Sequence, residues 1–341
     1  MDLSNKIENI ETRLNNIITK LNKPPILRPN DFSEYIGQEK AKRILSDSIV
    51  SAQKRKTAVG HILLSSASPG VGKTTIANLV AEKMGVTYVS TVASALEDYE
   101  DIYNLFASVK GKPNPVIIID EIHRLKHSLC ESIYVAMEDP NSEFKTNKRF
   151  GAVTSPSFKM GPFTLIGLTA GSQGMLPKPF LDRFEIQVSL TKYTLNEITS
   201  IVEQSANKIG VKINENTARI IAERSIYTPR ISNSILKRVR DYCVAHSIKT
   251  ITLATLDKIF ELMSIDNLGL NEMARSVLKA LADSPRGNYG VNSLSAVTNI
   301  DAITLKNIIE PQLITHGLIV YMAKGRAITD KGIKHIEDTK K

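Results

Sequence analysis

A chain of 341 residues predicts two or three domains and ample material for a buried core. Its 44 lysines and arginines outnumber 35 acidic residues, and the formal charge of +9 favours a polyanionic partner. Two distant cysteines, Cys130 and Cys243, exclude a disulfide scaffold and fit a reducing cytoplasm, and no apolar run approaches the ~18 residues of a membrane span.

Residues 1–24 read as a separate amphipathic element. Leu3, Ile7, Ile10, Leu14, Ile17 and Leu21 recur in steps of four and three, an a/d seam that Pro24-Pro25 ends. It suits an oligomerisation or docking helix, or a helix packed on its own chain. An extended lead-in from Leu27 to Gln38 and an amphipathic helix from Lys40 to Lys54 follow.

His61 to Thr75, HILLSSASPGVGKTT, then joins a buried strand to a helix through a small-residue turn. This is close to the phosphate-binding loop G-x-x-x-x-G-K-[ST], with Ala67 at the first glycine position. Gly70 and Gly72 let backbone amides approach phosphate oxygens, Lys73 supplies the neutralising charge, and Thr74 a hydroxyl for Mg²⁺. A strand is predicted at 86–91 and a helix over 94–109.

Pro115 to Asp120 is a second buried strand, ending in Asp120-Glu121. At the carboxyl end of a parallel strand, Asp120 would hold the metal shell and Glu121 would polarise the attacking water as general base. The same acid pair could instead favour a helix N-terminus. A helix over 128–137, an irregular hairpin within 141–160, a strand over 163–169 and a short strand over 186–190 complete an alternating α/β pattern. From Thr194 the pattern is all helical through Met263, with Thr228-Pro229-Arg230 opening one helix. After Asp266 three short helices, over 270–282, 291–298 and 302–309, precede a strand over 317–322, a basic turn at Lys324-Gly325-Arg326 and a strand over 327–329, which suggests a winged-helix module. That unit holds ten basic and eight acidic residues, so any DNA contact rests on the wing tip rather than on a basic block. The expected division is 1–24, 25–192, 193–264 and 265–341.

Several stretches together resemble the RuvB family, ring-forming AAA+ motors of Holliday junction branch migration. They include LRPNDFSEYIGQEKAK, SPGVGKTTIANLVAEKMGV, IIIDEIHRL, IYVAMED, TPRI followed by LKRVRDY, DNLGLNEMARSVL and EPQLITHGLIVYMAKGR. The resemblance spans about Leu27 to His335 and implies an AAA+ P-loop NTPase parallel-sheet domain, an all-α lid and a C-terminal winged-helix domain. It implies ATP and Mg²⁺ as ligands. Leu27, Arg28 and Tyr193 would lie near the base and ribose, and Lys73, Thr74 and Thr75 would take phosphates and metal. Arg183 would be an arginine finger for the next subunit, although an ion pair with Asp182 is the plain alternative. Arg230 would be a lid arginine on the γ-phosphate, and Lys324 and Arg326 would contact DNA, unless they form only a solvated turn.

The implied partners are double-stranded DNA at a four-way junction, a homo-oligomeric ring, most simply a hexamer, a RuvA-like junction-binding protein and a RuvC-like resolvase. The sequence departs from the family at Ala67, at Ala170 where a polar sensor is expected, at Leu181 and Tyr321 where arginines are expected, and across 141–160. Two other readings remain open: a clamp-loader-like ATPase, which the winged helix disfavours, and a nucleotide-binding DNA scaffold without turnover, which Ala67 and Ala170 motivate.

Overall fold

The computed structural model describes residues 27–339, apart from 140, 142, 146–156 and 172–175. The heptad segment before Leu27 lies outside the described residues, as does the tip of the 141–160 hairpin.

The first unit is a three-layer α/β sandwich. In chain order it contains α1 (Glu39–Arg55), β1 (Ile62–Ser66), α2 (Lys73–Met84), β2 (Tyr88–Val92), α3 (Tyr99–Ala107), β3 (Val116–Asp120) and α4 (His127–Glu138). The antiparallel pair β4 (Glu143–Lys145) and β5 (Ser157–Lys159) follows, then β6 (Thr164–Ala170), α5 (Lys178–Leu181) and β7 (Ile186–Leu190). Five strands form one parallel sheet in the order β2-β3-β6-β1-β7. β1, β3 and β6 are buried almost throughout, the mark of strands covered on both faces, whereas edge strand β2 alternates in exposure.

Alternation along each strand sends residues to opposite faces. Ile62, Leu64, Ile118 and Ile166 pack with α1, α2 and the lid, while Leu63, Ile117, Ile119 and Leu165 pack with α3 and α4. Ser66 pairs with Ala170 and Ile119 with Gly167, so the carboxyl ends of β1, β6 and β3 stand side by side. That is where an open parallel sheet binds ligands.

The helix expected over 94–109 is divided. A 3-10 turn spans Ala93–Ala95, and α3 begins only at Tyr99, because Asp98 accepts from the amides of Glu100 and Asp101 and closes a capping box with Asp101.

The lid contains α6 (Leu195–Lys208), α7 (Glu215–Arg224), α8 (Pro229–Ala245) and α9 (Leu253–Leu262). Thr194 and Glu197 form the capping box that starts α6. Ile198, Ile221, Leu236 and Ile259 share one buried cluster with the α1–α2 face of the sheet.

The third unit has its own core, including Leu278, Leu294, Leu313 and Ile319. It contains α10 (Glu272–Ala282), α11 (Val291–Thr298), α12 (Ala302–Thr304), α13 (Glu310–Thr315), β8 (Ile319–Met322), β9 (Gly325–Ile328) and α14 (Asp330–Thr339). Three differences from expectation appear here. The helix expected to end at Ile309 runs on to Thr315 through a π turn at Leu305–Ile309, directly before Pro311. Proline lacks an amide and crowds the preceding turn, and a widened turn accommodates it. Arg326 belongs to β9 rather than to the turn, paired with Tyr321. Helix α14 was not anticipated from the sequence; it docks through His335, whose Nε2 lies 2.9 Å from buried Asp266 Oδ2.

Candidate active site

The turn between β1 and α2 is shaped by close approach. Gly72 sits at φ +100°, and a Cβ there would meet Tyr35 Oη at 2.3 Å. Gly70 sits at φ +79°, and a Cβ there would meet Thr228 Cγ2 at 2.8 Å and Arg230 Cβ at 3.3 Å. The first turn of α8 is therefore pressed against the loop, and only glycine fits such a cradle.

Lys73 opens α2 and donates to Ser66 Oγ at 2.6 Å, while Ser66 donates to Ser68 O at 2.7 Å. Burial holds the Lys73 ammonium below its ordinary value, Arg230 acting in the same direction and Asp120 and Glu121 opposing it. A half-buried cation that lacks full compensation is suited to an anionic ligand.

Thr74 Oγ1 donates to Asp120 Oδ2 at 3.0 Å across the loop. Asp120 Oδ1 accepts from the Glu121 amide at 2.8 Å. This hydroxyl and carboxylate form the hard-oxygen pair that suits Mg²⁺ when phosphates complete the shell. Glu121 lies in the left-handed region at φ +52°, and its carboxylate contacts Arg124 Nη1 at 3.2 Å. Behind it, His123 Nδ1 lies 3.1 Å from the buried Thr169 hydroxyl. Burial holds the His123 imidazole below its usual value, with Glu121 opposing.

Gly70, Lys73, Thr74, Asp120, Glu121, Ala170 and Arg230 line one cleft of about 940 Å³. A smaller pocket opens beside it against Leu27, Arg28, Thr75 and Tyr193. Tyr193 donates to Tyr35 Oη at 2.9 Å, and both hydroxyls lie 3.3 Å from Val71 O, so the tyrosine pair buttresses the loop from beneath. The predicted nucleotide residues thus surround one connected space.

Arg183 is not among the residues lining either cavity. It lies just past α5, and Nη2 contacts Glu138 Oε2 at 2.7 Å, with Glu138 rather than Asp182 as the partner. Its Nε is buried without a hydrogen-bond partner among the described residues.

The wing is a separate locus, and its two basic residues differ. Arg326 reaches inward: Nε donates to Glu310 Oε1 at 2.7 Å and Nη2 to Oε2 at 3.1 Å. Glu310 is fully buried and also accepts from Tyr321 Oη at 2.6 Å. Lys324 occupies the turn and is exposed. The sequence reading overlooked Tyr35, Glu138 and Glu310, whose partners lie 36 to 158 residues away for Tyr35 and 11 to 16 away for Glu310, beyond the reach of any local motif.

Comparison with known families matches nearly all of the described residues to three consecutive domains. Residues 27–190 match the Holliday junction DNA helicase RuvB P-loop domain, 193–266 the RuvB AAA lid domain, and 267–337 the RuvB C-terminal winged helix domain. The chain is 38% identical over 312 residues to the Holliday junction branch migration complex subunit RuvB of Fusobacterium nucleatum, covering 91% of this chain and 92% of the relative. It is 36% identical over 311 residues to the same subunit of Kosmotoga olearia, covering 91% and 90%. Among solved structures, the Thermotoga maritima RuvB Holliday junction branch migration motor superposes with a TM-score of 0.78 at 34% identity, covering 91% of this chain and 98% of that one.

Proposed function

Because the chain belongs to the RuvB family, we propose that it hydrolyses ATP to drive branch migration at Holliday junctions, working as a ring on double-stranded DNA. One observation carries the chemical half of this reading. The strand ends of β1 and β3 bring Lys73, Thr74 and Asp120 together beneath the lid residue Arg230.

The chain's own groups divide the work of phosphoryl transfer to water. Loop amides and Lys73 bind the β- and γ-phosphates, and Arg230 closes the lid on the γ-phosphate. Thr74 and Asp120 are the residues that would hold Mg²⁺, which when bound neutralises charge on the phosphate oxygens. Glu121 polarises the attacking water. To do so its carboxylate must leave Arg124; both side chains of that pair are about half exposed, so the pair is worth little and separates readily. Leu27, Arg28 and Tyr193 enclose the base and ribose.

Arg183, absent from its own chain's cleft, serves the site of a neighbouring copy, which makes a ring, most simply a hexamer, the active form. DNA is held chiefly through phosphates, so binding is sequence-independent and weakens with salt. A RuvA-like junction-binding protein and a RuvC-like resolvase are the natural partners. The cytoplasm is the compartment that suits buried free thiols at Cys130 and Cys243, the former pushed up to about 11 by burial.

The test is branch migration of a synthetic four-way junction with ATP, with and without the host's RuvA. The protein is expected to drive the junction apart into its duplex products, without strand cleavage, at a rate that Lys73→Ala abolishes. Nucleotide binding without junction-stimulated turnover would instead identify a scaffold, and stimulation only by a sliding clamp would identify a loader.

A further inference from the structure

The smaller pocket beside the phosphate loop has mostly apolar walls, including Leu27, Pro29, Ile36, Ile201 and Pro229. Several of its polar side chains are already engaged with one another. Glu34 accepts from Lys208 Nζ at 2.7 Å, Gln204 Nε2 donates to Glu34 O at 3.0 Å, and the Tyr35 and Tyr193 hydroxyls bond each other. Asn233 differs. It stands one turn into α8 and lines both this pocket and the main cleft. Its Oδ1 is buried without a hydrogen-bond partner among the described residues.

An amide carbonyl enclosed without a donor is costly, and a ligand that brings the donor recovers that cost. The outer torsion of asparagine is soft, so the amide can turn to present Oδ1 and Nδ2 together to a flat partner. Such a paired acceptor and donor matches the 6-amino group and N7 of adenine. Guanine has an oxygen at position 6, which would face Oδ1 with like polarity.

We propose that Asn233 is the base-specificity residue of the nucleotide site: its Oδ1 accepts from the adenine 6-amino group and its Nδ2 donates to N7. This rests on the reading of the cleft as an ATP site and adds to it the means by which that site selects adenine.

Equilibrium binding by the full chain in Mg²⁺ buffer tests this with three probes: ATP, GTP and the triphosphate of purine riboside, which lacks the 6-amino group. The wild type is expected to bind ATP about ten- to a hundredfold more tightly than either other probe. Asn233→Leu should erase the advantage of ATP over the purine riboside triphosphate, lowering ATP affinity further than that of the probe, which loses only its N7 bond. Equal wild-type affinity for ATP and the purine riboside triphosphate overturns the assignment, and needs no variant to be folded. A Leu variant that weakens all three probes alike also overturns it, since that is loss of shape rather than of base recognition. Failure of the wild type to bind any of the three removes the nucleotide-site reading itself, whereas binding without base preference removes only the role of Asn233.

Discussion

Glu121 is held by a backbone conformation that side-chain-bearing residues seldom adopt, at φ +52°, immediately after the buried end of β3. Its placement beyond Asp120 separates two carboxylates by role: Asp120 is tied to Thr74 and its own chain's amide, while Glu121 is free to swing from Arg124. Glu121→Gln keeps the size and removes the proposed base. Steady-state turnover should fall about 10²- to 10⁴-fold with ATP binding retained, whereas Lys73→Ala should lose binding itself. Normal turnover by the Gln variant would remove Glu121 from the base role.

His61, at the entry to β1, makes a different kind of statement. Its Nδ1 accepts from the Leu165 amide at 3.0 Å and its ring packs 5.1 Å from Phe163, so the neutral imidazole is the form that fits. Burial lowers its pKa from 6.5 to about 4, with the Met137 backbone opposing. The unfolded chain therefore takes up the proton first. This stability is present above pH 6.5 and is lost as the pH falls toward 4, on the order of 3 kcal/mol in all. Urea midpoints at pH 7.5 and pH 5 should diverge for the wild type, and the divergence should shrink in His61→Gln, which offers an acceptor that does not titrate.

At the scale of elements, the wing shows how two neighbouring cations acquire different tasks. Arg326 spans β9 to the first residue of α13, and its partner Glu310 has no water contact. Tyr321 on β8 completes the carboxylate's shell and lies beneath the guanidinium, its ring centre 5.3 Å from Cζ. Breaking a buried pair strands a charge, so Arg326→Gln should destabilise the winged-helix unit by ~3–5 kcal/mol, and Glu310→Gln in the same chain should recover part of the loss. Lys324→Ala should leave stability unchanged and reduce the salt dependence of DNA binding by about one phosphate contact. If instead Arg326→Gln lowers the salt slope at unchanged stability, Arg326 touches DNA directly.

The sequence marked most elements of this unit, α14 excepted, but not their connections. Hydrophobic periodicity located the helices over 291–298 and the two wing strands, because apolar spacing is a local property. The sequestration of Arg326 was illegible, since Lys-Gly-Arg reads as an exposed basic turn until Glu310 is seen against it. The same limit applied at the cleft. Lys73, Thr74, Asp120 and Glu121 are announced by strand-loop spacing, whereas the Tyr35–Tyr193 buttress and the Asn233 carbonyl depend on segments that meet only after folding.

At the scale of the molecule, the proposed finger role of Arg183 depends on a second copy of the chain. Lys73 and Arg230 face the cleft within one chain, but Arg183 is turned to Glu138 on α4 and lines no part of that cleft. Its side chain is 37% exposed, its position follows directly from α5, and its Nε has no hydrogen-bond partner among the described residues. A head-to-tail ring would give each cleft the Arg183 of the next copy, because heterologous interfaces close into rings when the rotation permits. The consequence is specific. Arg183→Ala should lower turnover about 10³- to 10⁵-fold at unchanged nucleotide affinity, the range for a finger supplied to phosphoryl transfer. Mixing Arg183→Ala with Glu121→Gln subunits should then restore activity that neither has alone. In a random equal mixture about one site in four pairs an intact Glu121 with an intact neighbouring Arg183. Both variants are expected to bind ATP, and ring assembly in the mixture is followed by sedimentation alongside turnover. A mixture as inactive as its components, in rings of normal size, would place Arg183 in the service of its own chain or of structure alone.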